Sequence, residues 1–67
     1  MRIILNGESK DLEKVEIITV EKLLEYFDIS REGVVVLINE EILAKENYTT
    51  EIYEGFKVEV LRFVSGG

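Results

Sequence analysis

Cysteine, histidine, tryptophan, glutamine and proline are all absent from these 67 residues. Without cysteine there is no disulfide, and with no histidine either there is no Cys/His metal clip to staple so short a chain. The same absences exclude cysteine nucleophiles, Ser–His and Cys–His catalytic pairs, and zinc sites of the usual kind. The lack of cysteine is compatible with a reducing compartment. Long apolar runs are missing too. The longest, Val34-Val35-Val36-Leu37-Ile38, is far below the ~18 residues of a membrane span. Arg2 is followed by only three apolar residues before Asn6-Gly7, so no secretory leader is read. A cytoplasmic location is expected.

Basic residues are the scarcer charge, 8 against 14 acidic, giving a net charge of −6. Such a surface repels phosphate backbones and anionic lipid, so neither nucleic acid nor membrane is an expected partner. It favours a basic protein surface, and it also keeps a small domain soluble. No Gly-rich phosphate loop is present; Asn6-Gly7-Glu8 has one glycine and opens no helix. The adjacent Glu40-Glu41 fall in a turn, where two carboxylates have no sheltered pocket to separate their pKa values. They read as solvated charge.

With 46% hydrophobic residues the chain has a core, and its length allows one domain. Gly7, Gly33 and Gly55 each fall between apolar runs. No Pro-rich linker, repeat or low-complexity segment interrupts them. Arg2–Leu5 reads as a strand, and Asn6-Gly7 is a strong two-residue hairpin signal. A second strand is expected over Asp11–Ile17, with Val15 and Ile17 paired against Ile3 and Leu5 on the buried face. Thr19 is a candidate helix N-cap. Val20, Leu23, Leu24 and Phe27 follow at i, i+3, i+4, i+7, one stripe of a helix over Val20–Phe27.

Val34–Ile38 is a strand apolar on both faces, followed by an Asn39-Glu40 turn and a short strand over Glu41–Ala44. Lys45–Tyr48 is irregular, with Tyr48 and Ile52 covering the core's end. After a turn at Tyr53-Glu54-Gly55, a last strand runs over Phe56–Phe63. In it Val58 and Val60 face inward, and Lys57, Glu59, Leu61 and Phe63 face outward. Hairpin, helix, then strands describe an α+β fold of the β-grasp type. It has a four- to five-stranded mixed sheet with one short helix across one face. The domain is expected over residues 1–63, with a flexible tail over 64–67.

The tail reads Val64-Ser65-Gly66-Gly67. Two glycines without Cβ are thin enough to thread into a narrow active site, and the terminal carbonyl is unhindered. A carboxylate must be activated before acyl transfer, so a partner using ATP is implied. Leu61 and Phe63, extended by Val35 or Leu37, form a candidate partner surface.

Asn6-Gly7, the Thr19-capped helix, Leu37-Ile38-Asn39-Glu40-Glu41-Ile42 and the ending Arg62-Phe63-Val64-Ser65-Gly66-Gly67 together resemble the ThiS family. These are ubiquitin-like sulfur carriers of thiamine biosynthesis. The likeness covers the whole chain. It departs at Glu40, where the family commonly has glycine, and at Ala44-Lys45, where it has Pro-Arg; Tyr48 keeps the aromatic. The related MoaD-like carriers share Val64-Ser65-Gly66-Gly67 but carry prolines where Arg62-Phe63 stands.

The resemblance implies a carrier and co-substrate, not an enzyme, with no cofactor bound. Gly67 is implied as the site adenylated by a ThiF-like enzyme of E1 type and converted to a thiocarboxylate with sulfur from a persulfide donor. Gly66, Ser65 and Val64 are implied as the stretch threaded into the partner. A ThiG-like thiazole synthase is the implied acceptor. A MoaD-like carrier, a ubiquitin-like modifier linked to lysines, and a plain β-grasp interaction domain are the alternative readings.

Overall fold

The computed structural model of the chain describes residues 1–63. The order of elements is β1 (Arg2–Leu5), β2 (Glu8–Asp11), β3 (Ile18–Thr19), α1 (Val20–Tyr26), β4 (Val34–Ile38), β5 (Glu41–Leu43), a 3₁₀ turn (Lys45–Asn47), β6 (Glu51–Ile52) and β7 (Lys57–Arg62). Five strands form one sheet in the order β2-β1-β7-β4-β5, and β3 pairs with β6 beside it. β1 and β7 run parallel at the centre; the other neighbours are antiparallel.

The first hairpin corrects the sequence reading. The second strand is Glu8–Asp11, not Asp11–Ile17. Ile3 lies opposite Lys10 and Leu5 opposite Glu8, so Val15 and Ile17 do not pair with them. The cause is the turn itself. Asn6 and Gly7 both take positive φ, 48° and 81°, the signature of a two-residue type I′ turn, which returns the chain at Glu8. The strand it forms lies at a sheet edge, where polar residues also discourage pairing with another chain. Leu12 enters the core instead, fully buried, while Val15 packs partly against it and Ile17 is 51% exposed.

α1 forms as its stripe requires. The Thr19 hydroxyl accepts a hydrogen bond from the Lys22 N–H at 3.2 Å, satisfying one orphan donor of the first turn. Val20, Leu23 and Leu24 are buried, and Phe27 caps the C-terminal end half-buried. Seven residues are too few for a helix to persist alone, so packing sustains it. Its stripe meets the inner sheet face at Ile3, Leu5, Val36 and Val58, with Tyr48 and Ile52 closing the end. Burying each aliphatic side chain contributes about 1.5–3 kcal/mol. Thr19→Ala is expected to lower stability by about 1 kcal/mol, read as a lower urea midpoint with an unchanged m-value.

The central strand β7 is held by the turns on either side of it. Where β1 turns away, the Asn6 Oδ1 accepts the Val60 N–H at 2.7 Å and its Nδ2 donates to the Val60 carbonyl at 3.3 Å. Across the strand, Asn39 donates its backbone N–H to the Lys57 carbonyl at 2.7 Å. Its Oδ1 accepts the Lys57 N–H at 2.9 Å. In both turns an asparagine carboxamide continues the ladder after the main chain has left it. Asparagine suits the position twice over, because it also tolerates the left-handed backbone.

Candidate functional site

Side chains alternate along β7, so Val58 and Val60 point inward while Lys57, Glu59 and Leu61 point outward. The register with β4 sets Leu61 opposite Val35 and Glu59 opposite Leu37. The register of β4 with β5 sets Leu37 opposite Ile42. The outer sheet face therefore carries an apolar band from Ile42 through Leu37 and Val35 to Leu61. Phe63 stands at its end. Ile42 is 75% exposed, Phe63 66% and Leu61 46%, whereas Val35 and Leu37 are half-buried. Leu61, Phe63, Val35 and Leu37, singled out from the sequence, are thus brought onto one surface. Ile42 is an addition that the sequence reading lacks. Its signal is the hairpin register, since Asn39-Glu40 as a two-residue turn forces Leu37 against Ile42.

Charges border the band. The Lys57 ammonium lies 3.1 Å from Glu40 and 3.5 Å from Glu59. The Glu40 hydrogen bond, then the charges of Glu40 and Glu59, raise the Lys57 pKa above its ordinary 10.5. A raised lysine pKa stabilises the fold below 10.5 and loses that contribution as pH climbs through the folded value. Every one of these groups is solvated, so the contribution is small and screened by salt. Among the described residues, no group of three or more Asp/Glu side chains is placed to hold a metal ion.

Glu40 occupies a costly conformation. Asn39 and Glu40 have φ of 50° and 74°, a type I′ pattern whose second position favours glycine. Replacing Glu40 by glycine relieves roughly 1 kcal/mol of left-handed strain, partly offset by a freer unfolded chain. Glu40→Gly is therefore expected to raise the urea midpoint slightly despite losing the Lys57 pair. An unchanged or lower midpoint would show that the pair outweighs the strain.

The last described backbone bond runs from the Phe63 N–H to the Gly33 carbonyl at 2.9 Å. This bond ties Phe63 back to the turn before β4, one residue past the end of β7. Val64, Ser65, Gly66 and Gly67, expected to form the threaded tail, lie outside the described residues. No helix among the described residues is long and apolar enough to cross a membrane.

A mixed five-stranded sheet with one short helix against its inner face is the ubiquitin-like β-grasp fold. The profile of the ThiS family matches residues 3–67, and the chain belongs to that family. It is similar to the crystal structure of the thiamine biosynthesis protein ThiS from Geobacter metallireducens. The two are 32% identical with a TM-score of 0.90, and all of both chains is covered. It is also similar to the NMR solution structure of a thiamine biosynthesis protein from the same organism. There the identity is 32% and the TM-score 0.83, over all of this chain and 88% of that one. No curated protein matches.

Proposed function

We propose that this protein is a sulfur carrier whose C-terminal Gly67 bears the sulfur destined for the thiazole of thiamine. The observation that carries the proposal is a family match that runs through residue 67 and so includes the Gly66-Gly67 ending. The likeness to thiamine biosynthesis proteins over the whole chain supports the pathway.

A ThiF-like enzyme uses ATP to form the Gly67 acyl-adenylate, releasing pyrophosphate. The terminal sulfur of a donor persulfide attacks the acyl carbon and displaces AMP, giving an acyl disulfide. A thiol then attacks the donor-side sulfur of that disulfide and frees the thiocarboxylate. A ThiG-like thiazole synthase accepts the sulfur. The chain itself supplies the acyl group, a stretch from Val64 to Gly66 thin enough to enter the activating site, and the outer face of β4, β5 and β7 for docking. ATP is the partner's substrate, and the carrier holds no cofactor of its own.

Intact-protein mass spectrometry tests this directly. The protein is incubated with ATP, a ThiF-like enzyme and a persulfide donor. A mass gain equal to one oxygen replaced by sulfur, located on the C-terminal peptide, is expected. A folded protein whose mass stays constant under those conditions, while a known carrier is converted, would overturn the proposal. Accumulation of lysine-linked adducts in place of thiocarboxylate would favour a protein modifier.

A further inference from the structure

We propose that Asn6-Gly7 is a deamidation site gated by folding: the Asn6 carboxamide is protected while it is bonded to Val60 and reacts once that contact opens. The inference stands apart from the sulfur-carrier reading. Asparagine occurs at positions 6, 39 and 47, and only Asn6 is followed by glycine. Deamidation begins when the following backbone nitrogen attacks the asparagine Cγ. Glycine, without a Cβ, hinders that attack least. The N–Cγ bond forms, the bond from Cγ to its amide nitrogen breaks, and ammonia leaves with the backbone proton. Water then opens the resulting succinimide at either carbonyl, giving aspartate or isoaspartate. No oxidant or reductant takes part.

In the folded chain the Asn6 carboxamide is held by other partners. The attack needs the carboxamide to swing so that Cγ faces the Gly7 nitrogen. Instead Oδ1 and Nδ2 are both engaged with the Val60 peptide, at 2.7 Å and 3.3 Å. The Asn6 N–H is itself bonded to the Val58 carbonyl at 2.9 Å, tying the turn to β7 from the main chain as well. Asn6 is exposed to water, so orientation gives the protection, not exclusion of solvent. The gate is local opening of the β1–β7 contact.

The reaction is also hard to reverse structurally. Aspartate would set an anionic oxygen where Nδ2 now donates to the Val60 carbonyl. Isoaspartate would lengthen the main chain inside a two-residue turn whose register is Leu5 opposite Glu8. Aspartate keeps an oxygen to accept the Val60 N–H but loses the donation to the Val60 carbonyl, and isoaspartate displaces both contacts. One opening event is thereby converted into a lasting weakness in the central strand.

The site is tested on the wild-type chain. Samples are held at the same mildly alkaline pH and temperature, one native and one in concentrated urea. Ammonia loss and isoaspartate are then followed by mass spectrometry and peptide mapping. Modification in urea is expected at Asn6 ahead of Asn39 and Asn47, and roughly tenfold or more slowly in the native sample. Equal rates in the two samples, or first modification at Asn39 or Asn47, would overturn the proposal. For the consequence, Asn6→Asp is expected to show a lower urea midpoint, because its carboxylate repels the Val60 carbonyl that Nδ2 now holds. A wild-type midpoint would refute that half, and a failure of the variant to fold would bear it out.

Discussion

Deletion of Gly67 is expected to abolish sulfur loading while leaving the domain as stable as before. The acyl carbon that takes AMP and then sulfur belongs to that residue under the carrier reading, and no other residue can present it at the same depth in a partner's site. The core among the described residues, by contrast, is built from side chains between Ile3 and Val58, and Ile3, Leu12, Leu23, Val36, Ile52 and Val58 are all essentially inaccessible to solvent. Removing a residue outside it should change the unfolding free energy by less than about 0.5 kcal/mol. Gly67→Ala should be an intermediate case. A methyl group beside the acyl carbon displaces it from the aligned geometry, and misplacement on that scale lowers rate by roughly 10²-fold. ATP–pyrophosphate exchange and intact mass read the activity, and the urea midpoint reads the fold. Sulfur loading of the deletion variant at the wild-type rate would refute the role of Gly67.

Phe63→Glu and Leu61→Glu are expected to produce the next largest loss, again with the fold intact. Both side chains already stand in water, so a charge there breaks no core packing. If they anchor the activating enzyme, each substitution removes an apolar contact and buries a carboxylate against the partner. Anchors of this kind contribute about 2 kcal/mol or more, which corresponds to roughly a 30-fold fall in kcat/KM. The fall should appear mainly in KM, because the acyl chemistry at Gly67 is untouched. Tyr26→Glu supplies the control. Tyr26 is 51% exposed on α1, away from the outer sheet face, and its replacement adds the same charge. Equal losses for Tyr26→Glu and Phe63→Glu would show that net charge, not the apolar band, governs the association.

Much of this arrangement is legible in the amino-acid sequence. Thr19, Val20, Leu23 and Leu24 identify the helix because capping and the 3.6-residue period are local properties of the chain. The run Val34–Ile38 identifies a two-faced strand for the same reason. Asn6-Gly7 announces its turn, yet the strand after it escapes a reading based on hydrophobic pattern. Apolar alternation points to Asp11–Ile17, whereas β2 is the polar edge strand Glu-Ser-Lys-Asp. Two-residue turn geometry, taken strictly, starts the strand at Glu8.

What the sequence determined by itself is the set of local choices: the capped helix, the turns that require left-handed residues, the alternation of β7, and a glycine pair at positions 66 and 67. The tertiary structure alone decided which strands meet. It placed β7 between β1 and β4, with Ile4 opposite Lys57 from the far end of the chain. It thereby put Leu61 against Val35 and left Ile42 on the same face. It also gave the carboxamides of Asn6 and Asn39 their second task on β7. Those outcomes depend on how distant segments share one core. Their energy comes from pairing and burial between partners that no local window contains.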